Sequence, residues 1–185
     1  MPIDRSEIRW FPMRVANHRE LRIRNELDRL DIENYLPVKW GQRTYGGHIR
    51  RVQVPALNLI FVRSTQQEIT RQKMFNKELY YLRYKMEISH DEDIPPHIMT
   101  VPDREMDSFI KATSCDDDRV QYLVYSDFID KAGRKVRVVD GDFAGVEGEI
   151  KRIHKDRVVV VCIRGIAAVA IQIPFAQLEF IDEST

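Results

Sequence analysis

After Ala132 the helical spacing of apolar residues stops, and nothing further along the chain restores it. In its place come five short apolar stretches, 134–139, 145–153, 157–163, 167–173 and 177–181, separated by turn-forming residues. Short apolar runs this closely spaced are strands. Five of them within about fifty residues leave no room for helices between them, and so small a sheet escapes open edges best by closing on itself. The sequence predicts a small five-stranded β-barrel over 131–185.

The first part of the chain obeys a different rule. A strand is expected over 9–15, with Pro12 inside it and therefore a bulge or local edge. A helix follows over 17–31. Ala16, Ile23, Leu27 and Leu30 make its buried stripe, Leu21 widens it, and Asn17 suits the N-cap. Arg19, Arg22, Arg24, Glu26 and Arg29 lie on the other side. An extended segment over 35–40 leads to 41–51, where three glycines and four cationic groups, His48 among them, read as an exposed hairpin loop. The strongest strand is 52–63. A short helix over 66–75, a strand over 80–84 and an acidic, proline-broken loop over 90–97 come next. A last helix over 103–113 packs Met106, Phe109 and Ile110. This is an α+β domain over 1–113, its antiparallel sheet covered mainly on one side. Residues 114–130 read as a linker, partly docked because 122–128 is aromatic.

Charge is patterned although it cancels overall. Residues 1–85 hold 17 Lys and Arg against 9 Asp and Glu, residues 86–118 hold 2 against 10, and residues 119–185 hold 10 against 10. A basic first part suits an anionic partner, or a surface balanced by the acidic segment. Cys115 and Cys162 fit no paired motif and read as free thiols of a reducing cytoplasm. No signal peptide and no membrane span are expected. No G-x-S-x-G, H-E-x-x-H or Walker A loop is present, so the chain is not expected to be an enzyme or to need a cofactor. The cluster from His90 to His97 lacks fixed ligand spacing and reads as an acidic surface loop in preference to a metal site.

The segment from Lys135 to Ile153, KVRVVDGDFAGVEGEIKRI, carries the most information. Gly141 and Gly145 flank a tight loop, Phe143 stands at its tip, and Gly148 suits a bend in the next strand. This strand–loop–strand pattern resembles the KOW motif of NusG-like C-terminal domains and some ribosomal proteins. Upstream, Trp10-Phe11, a helix, Tyr35-Leu-Pro, Asn58-Leu-Ile-Phe-Val62 and Pro102-Asp103 opening a helix resemble the NGN domain that precedes KOW in transcription elongation factors. His18-Arg-Glu-Leu21, Tyr35-Leu-Pro37 and Gly165-Ile-Ala-Ala-Val-Ala170 resemble the UpxY-type antiterminators of capsular polysaccharide operons.

The resemblance implies a monomeric, cytoplasmic regulator that binds the clamp helices of the largest RNA polymerase subunit. The matching apolar face is Trp10, Leu57, Leu59 and Phe61. Relatives begin the corresponding strand with Phe-Pro-Gly or Phe-Pro-Asn, where this chain has Ala56-Leu57-Asn58. Asn17, His18, Arg19 and Arg22 match positions facing non-template DNA or nascent RNA, and the 43–51 loop is another candidate for that contact, lying where relatives reach toward the polymerase gate. The KOW loop (Gly141, Phe143, Gly145, Gly148), with Arg164 and Ile166, is the expected partner surface for a ribosomal protein or another factor. Arg164 stands where housekeeping relatives often have a large apolar residue, which favours an antiterminator over Rho recruitment. A housekeeping NusG-type factor and a KOW-bearing RNA- or ribosome-binding protein are the competing readings. One relative refolds its C-terminal domain into helices; the β-branched run Val158 to Val161 argues against that in this chain.

Overall fold

The computed structural model describes residues 5–88, 95–114, 119–123, 133–153, 156–163 and 165–181. The chain is α+β and divides into two compact units, Met1–Pro102 and Asp103–Thr185.

The first unit runs β1 (Ile8–Val15), α1 (Glu20–Arg29), β2 (Asn34–Tyr35), β3 (Val38–Tyr45), β4 (His48–Pro55), β5 (Leu59–Thr65), α2 (Gln66–Phe75), β6 (Leu82–Tyr84), β7 (Met86–Glu87) and β8 (His97–Ile98). Its main sheet is antiparallel in the order β2-β5-β1-β6. Side chains alternate across a strand. Phe11, Met13 and Val15 of β1 and Ile60 and Val62 of β5 therefore face one side, where they form a core with Ile23 and Leu27 of α1 and Ile69 of α2. Pro12 lies within β1 opposite Phe61. Its carbonyl accepts from Lys85 N, so its own nitrogen points to the same edge, where the β6 ladder covers only Met13–Val15. The missing N–H costs no ladder bond there, and no bulge is needed.

Three local expectations change. Helix α1 starts at Glu20, and Arg19 is its cap residue without a side-chain capping bond. Asn17 and His18 precede it with φ of 63° and 52°, a left-handed geometry that Asn and His tolerate, so Asn17 is not the cap. The expected strand over 52–63 is two strands. Pro55 ends β4, and the chain turns through 56–58 before β5 begins. The expected loop over 41–51 is a continuous ladder from Val38↔Pro55 to Tyr45↔His48, turning only at Gly46 and Gly47 with φ of 55° and 82°. Two successive positive φ values are what a tight hairpin turn requires.

The second unit holds α3 (Asp103–Ser114), β9 (Val120–Tyr122), β10 (Arg134–Val138), β11 (Glu147–Ile153), β12 (Asp156–Ile163), β13 (Ala167–Ile171) and β14 (Leu178–Phe180). The strands form one antiparallel sheet, β14-β10-β11-β12-β13-β9. The sixth strand comes from the expected linker: Val120–Tyr122 pairs with β13. Helix α3, expected to close the first domain, falls in this unit and packs against β11, β12 and β13. The reason is visible in those strands. Val158 to Val161 and the whole of β13 are buried at consecutive positions, so both faces need cover.

In the first unit, Glu26 is held by Arg29 (Nη2 donating at 2.7 Å, Nε at 3.0 Å) and by Asn76 Nδ2 at 2.5 Å. Asn76 Oδ1 in turn accepts from Glu78 N at 3.0 Å, so this carboxylate ties α1 to the chain after α2. The hydrogen bond from Arg29, followed by that from Asn76, lowers its pKa from 4.5 to about 2. A depressed carboxylate stabilises the fold above its unfolded pKa, and that contribution fades as pH falls through the folded value. Urea unfolding of the parent and of Glu26→Gln is expected to differ at pH 6 and to converge as pH falls from about 4.5 toward 2. Equal stabilities at pH 6 would refute the role.

Candidate functional site

The face of the first unit's sheet opposite the helices is set by the same register. Trp10 and Pro12 of β1 and Leu59 and Phe61 of β5 alternate with the core residues and therefore share that side. Trp10, Leu59 and Phe61 are buried, and the bridge from Val101 N to Trp10 O at 2.9 Å lies beside them. Leu57, before the strand begins, is half-buried. Three of the four expected residues thus share one face by register, and Leu57, in the turn that leads into β5, is the most accessible of the four. Asn58 is exposed. With its amide oriented to donate, it bonds Glu20 Oε1 at 3.2 Å and Val15 O at 2.6 Å, satisfying a buried carboxylate at the start of α1.

The expected nucleic-acid residues separate into two kinds. Asn17, His18 and Arg22 are exposed. Arg19 is half-buried and engaged. Its guanidinium reaches both oxygens of Glu78, at 3.1 and 3.4 Å, and lies over the Tyr81 ring at 4.2 Å. It is a fixed cation, whereas its exposed neighbours are adjustable. His97 pairs with Glu87 at 3.1 Å across the β7–β8 ladder. His90, Asp91, Glu92 and Asp93 lie outside the described residues.

In the second unit the loop between β10 and β11 is closed by backbone bonds: Gly145 N to Val138 O at 2.6 Å and Ala144 N to Gly141 O at 3.0 Å. Gly141 and Gly145 have φ of 80° and 89°, conformations that any other residue adopts only with strain. Phe143, expected at the loop tip, points inward instead and is 1% exposed, with the Arg119 guanidinium 5.1 Å from its ring centroid. An apolar ring in a glycine-rich loop gains more by anchoring the loop than by facing water. What this loop turns to solvent is therefore its polar rim, Gly141, Asp142 and Gly145, and not Phe143. Ile166 is half-buried, and its N–H donates to Ile163 O. Arg164 lies outside the described residues.

Two features of this unit were not expected. Glu147, at the start of β11, accepts from Arg104 Nη2 of α3 at 2.7 Å and from Arg137 Nη2 of β10 at 2.8 Å, while its own N–H donates to Ser108 Oγ. Lys111 Nζ bonds the Ala144 carbonyl. These contacts fasten α3 to the loop that carries the glycines, and the Arg104 guanidinium is the chief cause of the lowered Glu147 pKa. A groove of about 520 Å³ is lined by Arg134, Arg157, Phe175 and Phe180, with Arg134 stacked 3.8 Å from the Phe180 centroid. The sequence signal for it is slight: an aromatic directly after Pro174, in a turn that would otherwise be polar.

A family model described as "KOW motif" matches residues 132–162, the span from the start of β10 into β12. No curated protein matches the chain. The chain therefore carries a KOW motif, and the paired strands, the left-handed glycines and the closed loop are its structural form. No helix among the described residues is long and apolar enough to cross a membrane.

Gly148 pairs with Val136, and a Cβ built there would lie 2.6 Å from Val160 O and 2.9 Å from Val159 Cγ1. Neither the β12 backbone nor a buried valine can move aside cheaply. Gly148→Ala is expected to cost about 1–3 kcal/mol or more by overpacking. Gly46→Ala, where nothing lies within 4 Å, carries only the strain of its positive φ. Urea denaturation of both variants checks this; Gly148→Ala matching the parent would show that the strands do not meet so closely.

Proposed function

We propose that this chain is a NusG-like regulator of transcription elongation that docks on the clamp helices of RNA polymerase and promotes antitermination, in the manner of the factors for polysaccharide operons. The observation that supports this most is the order of parts: a KOW motif at 132–162 follows an α+β unit whose sheet turns Trp10, Leu59 and Phe61 to the face away from its helices, with Leu57 half-buried in the turn before β5. That order matches the NGN–KOW resemblance read in the sequence.

The action proposed is non-catalytic. A factor that binds the closed, processive polymerase more tightly than the paused one shifts the balance between them by its difference in affinity. Each ~1.4 kcal/mol of difference is a tenfold shift. Trp10, Leu59 and Phe61 are buried in this conformation, so docking through them requires that they be uncovered. Leu57 sits at the accessible rim and can be engaged first. The KOW unit is assigned to a second partner, a ribosomal protein or another factor. A KOW-bearing RNA- or ribosome-associated protein is the alternative, supported by the same motif.

Phe61→Asp is a poor probe, because a carboxylate at a fully buried position destabilises the sheet itself. Leu57→Asp is the better one. It is expected to leave the circular dichroism spectrum unchanged and to reduce retention by immobilised RNA polymerase at least tenfold. Undiminished retention by a folded Leu57→Asp protein would remove the assigned face. Retention on ribosomes but not on polymerase would favour the alternative.

A further inference from the structure

The β3–β4 hairpin is an odd object for a folded chain to keep. Its two eight-residue strands form a separate two-stranded sheet. At ~3.3 Å per residue the ribbon is about 25 Å long. Isolated two-stranded ribbons are marginal in water. From Lys39 to Arg51 every residue except Gly41 is exposed, including Trp40 (40%), Tyr45 (51%) and Ile49 (69%). A ribbon open to solvent on both faces that also displays large apolar side chains is kept for a contact rather than for stability.

The register shows what contact. Pairing places Lys39, Arg43, Tyr45, His48 and Arg50 on one face, and Trp40, Thr44, Ile49 and Arg51 on the other. Arg43 stands directly opposite Arg50. Like charges at opposed positions of an antiparallel pair repel and weaken it. Residues 38–55 contain four Lys and Arg and no Asp or Glu, so the hairpin itself supplies nothing to offset the repulsion. Among the described residues neither Arg43 nor Arg50 forms an ion pair. Three arginines elsewhere in the same unit are matched: Arg29 with Glu26, Arg63 with Glu33, Arg71 with Glu68. On the other face, the Arg51 guanidinium covers the Trp40 ring at 4.6 Å, which stiffens the base of the ribbon.

We propose that the β3–β4 ribbon is a nucleic-acid-binding arm whose Lys39–Arg43–Arg50 face takes the phosphodiester backbone of duplex DNA. A repelling pair of guanidiniums with no counterion among the described residues is relieved by an external polyanion, and guanidinium is the cation best shaped to hold phosphate. A two-stranded ribbon also fits the ~12 Å width of a major groove. Most of the contact is with backbone, so affinity is salt-dependent and tolerant of sequence. The arm is separate from the sheet face assigned to polymerase, and its test requires no polymerase, so either assignment can fail without the other.

The experiment is fluorescence anisotropy of the full chain with a labelled 30-base-pair duplex and, in parallel, a single-stranded RNA of equal length, over a KCl series. Arg43→Gln/Arg50→Gln is expected to weaken duplex binding at least tenfold at low salt and to reduce the slope of log affinity against log salt by about two. Its melting temperature should equal or exceed the parent's, since the substitution removes a repulsion. Lys77→Gln/Arg152→Gln removes the same charge from exposed positions outside the ribbon and should leave the slope unchanged. Duplex binding unaltered by the ribbon variant overturns the proposal. So does an equal loss in the control pair, which would make net charge the cause, and so does a loss confined to the RNA, which would make the arm a single-strand reader.

Discussion

The β1–β5 ladder fixes most of what the first unit can be. Seven residue pairs, from Ile8↔Thr65 to Arg14↔Leu59, set which side chains go to which side. With this register Phe11, Met13, Ile60 and Val62 meet α1 and α2, and Trp10, Leu59 and Phe61 are sent the other way. A slip of one residue would exchange the two sets and bring Arg14 or Arg63 under the helices. The core and the candidate polymerase face are therefore two readings of one ladder. This is why Phe61 belongs to the architecture as much as to any surface.

The second unit rests on a different economy. Its strands are short and its turns are tight, so backbone approach replaces side-chain bulk at Gly148, where β11 meets β12. The apolar runs of β12 and β13 leave no polar face, and α3 supplies the cover a sheet of this size lacks. Glu147 joins that cover to the motif loop by receiving one arginine from α3 and one from β10. Val159 and Val160 of β12 are paired on both sides, with β11 and with β13. A helical rearrangement of this segment would forfeit two ladders together.

Much of this was legible in the chain. Short apolar runs between turn residues gave the strands after 132 to within a few positions, and the glycine spacing of 141–148 gave the KOW motif. The short helix expected over 66–75 is α2, and Thr65 Oγ1 caps it by accepting from Glu68 N. What escaped was set by distant partners. The pattern of α3 states that it buries Met106 and Phe109 but not against which sheet. Phe143 reads as a loop tip because a loop sequence does not reveal which way its tip turns. The 41–51 stretch was legible as exposed and basic, whereas the opposition of Arg43 and Arg50 needs the register that the two left-handed glycines impose. Arg19 reads like its neighbours until Glu78 and Tyr81, some sixty positions on, are brought beside it.

The ribbon has one more consequence. Between Lys39 and Arg51 it contributes nothing to the buried clusters of either unit. Substitutions along it are therefore filtered by what the arm touches and hardly at all by whether the chain folds. Such a segment can diverge quickly, or be exchanged wholesale between related chains, while the sheet that carries it stays the same. The proposed contact can in this way change from one related chain to another on a scaffold that does not have to be reinvented.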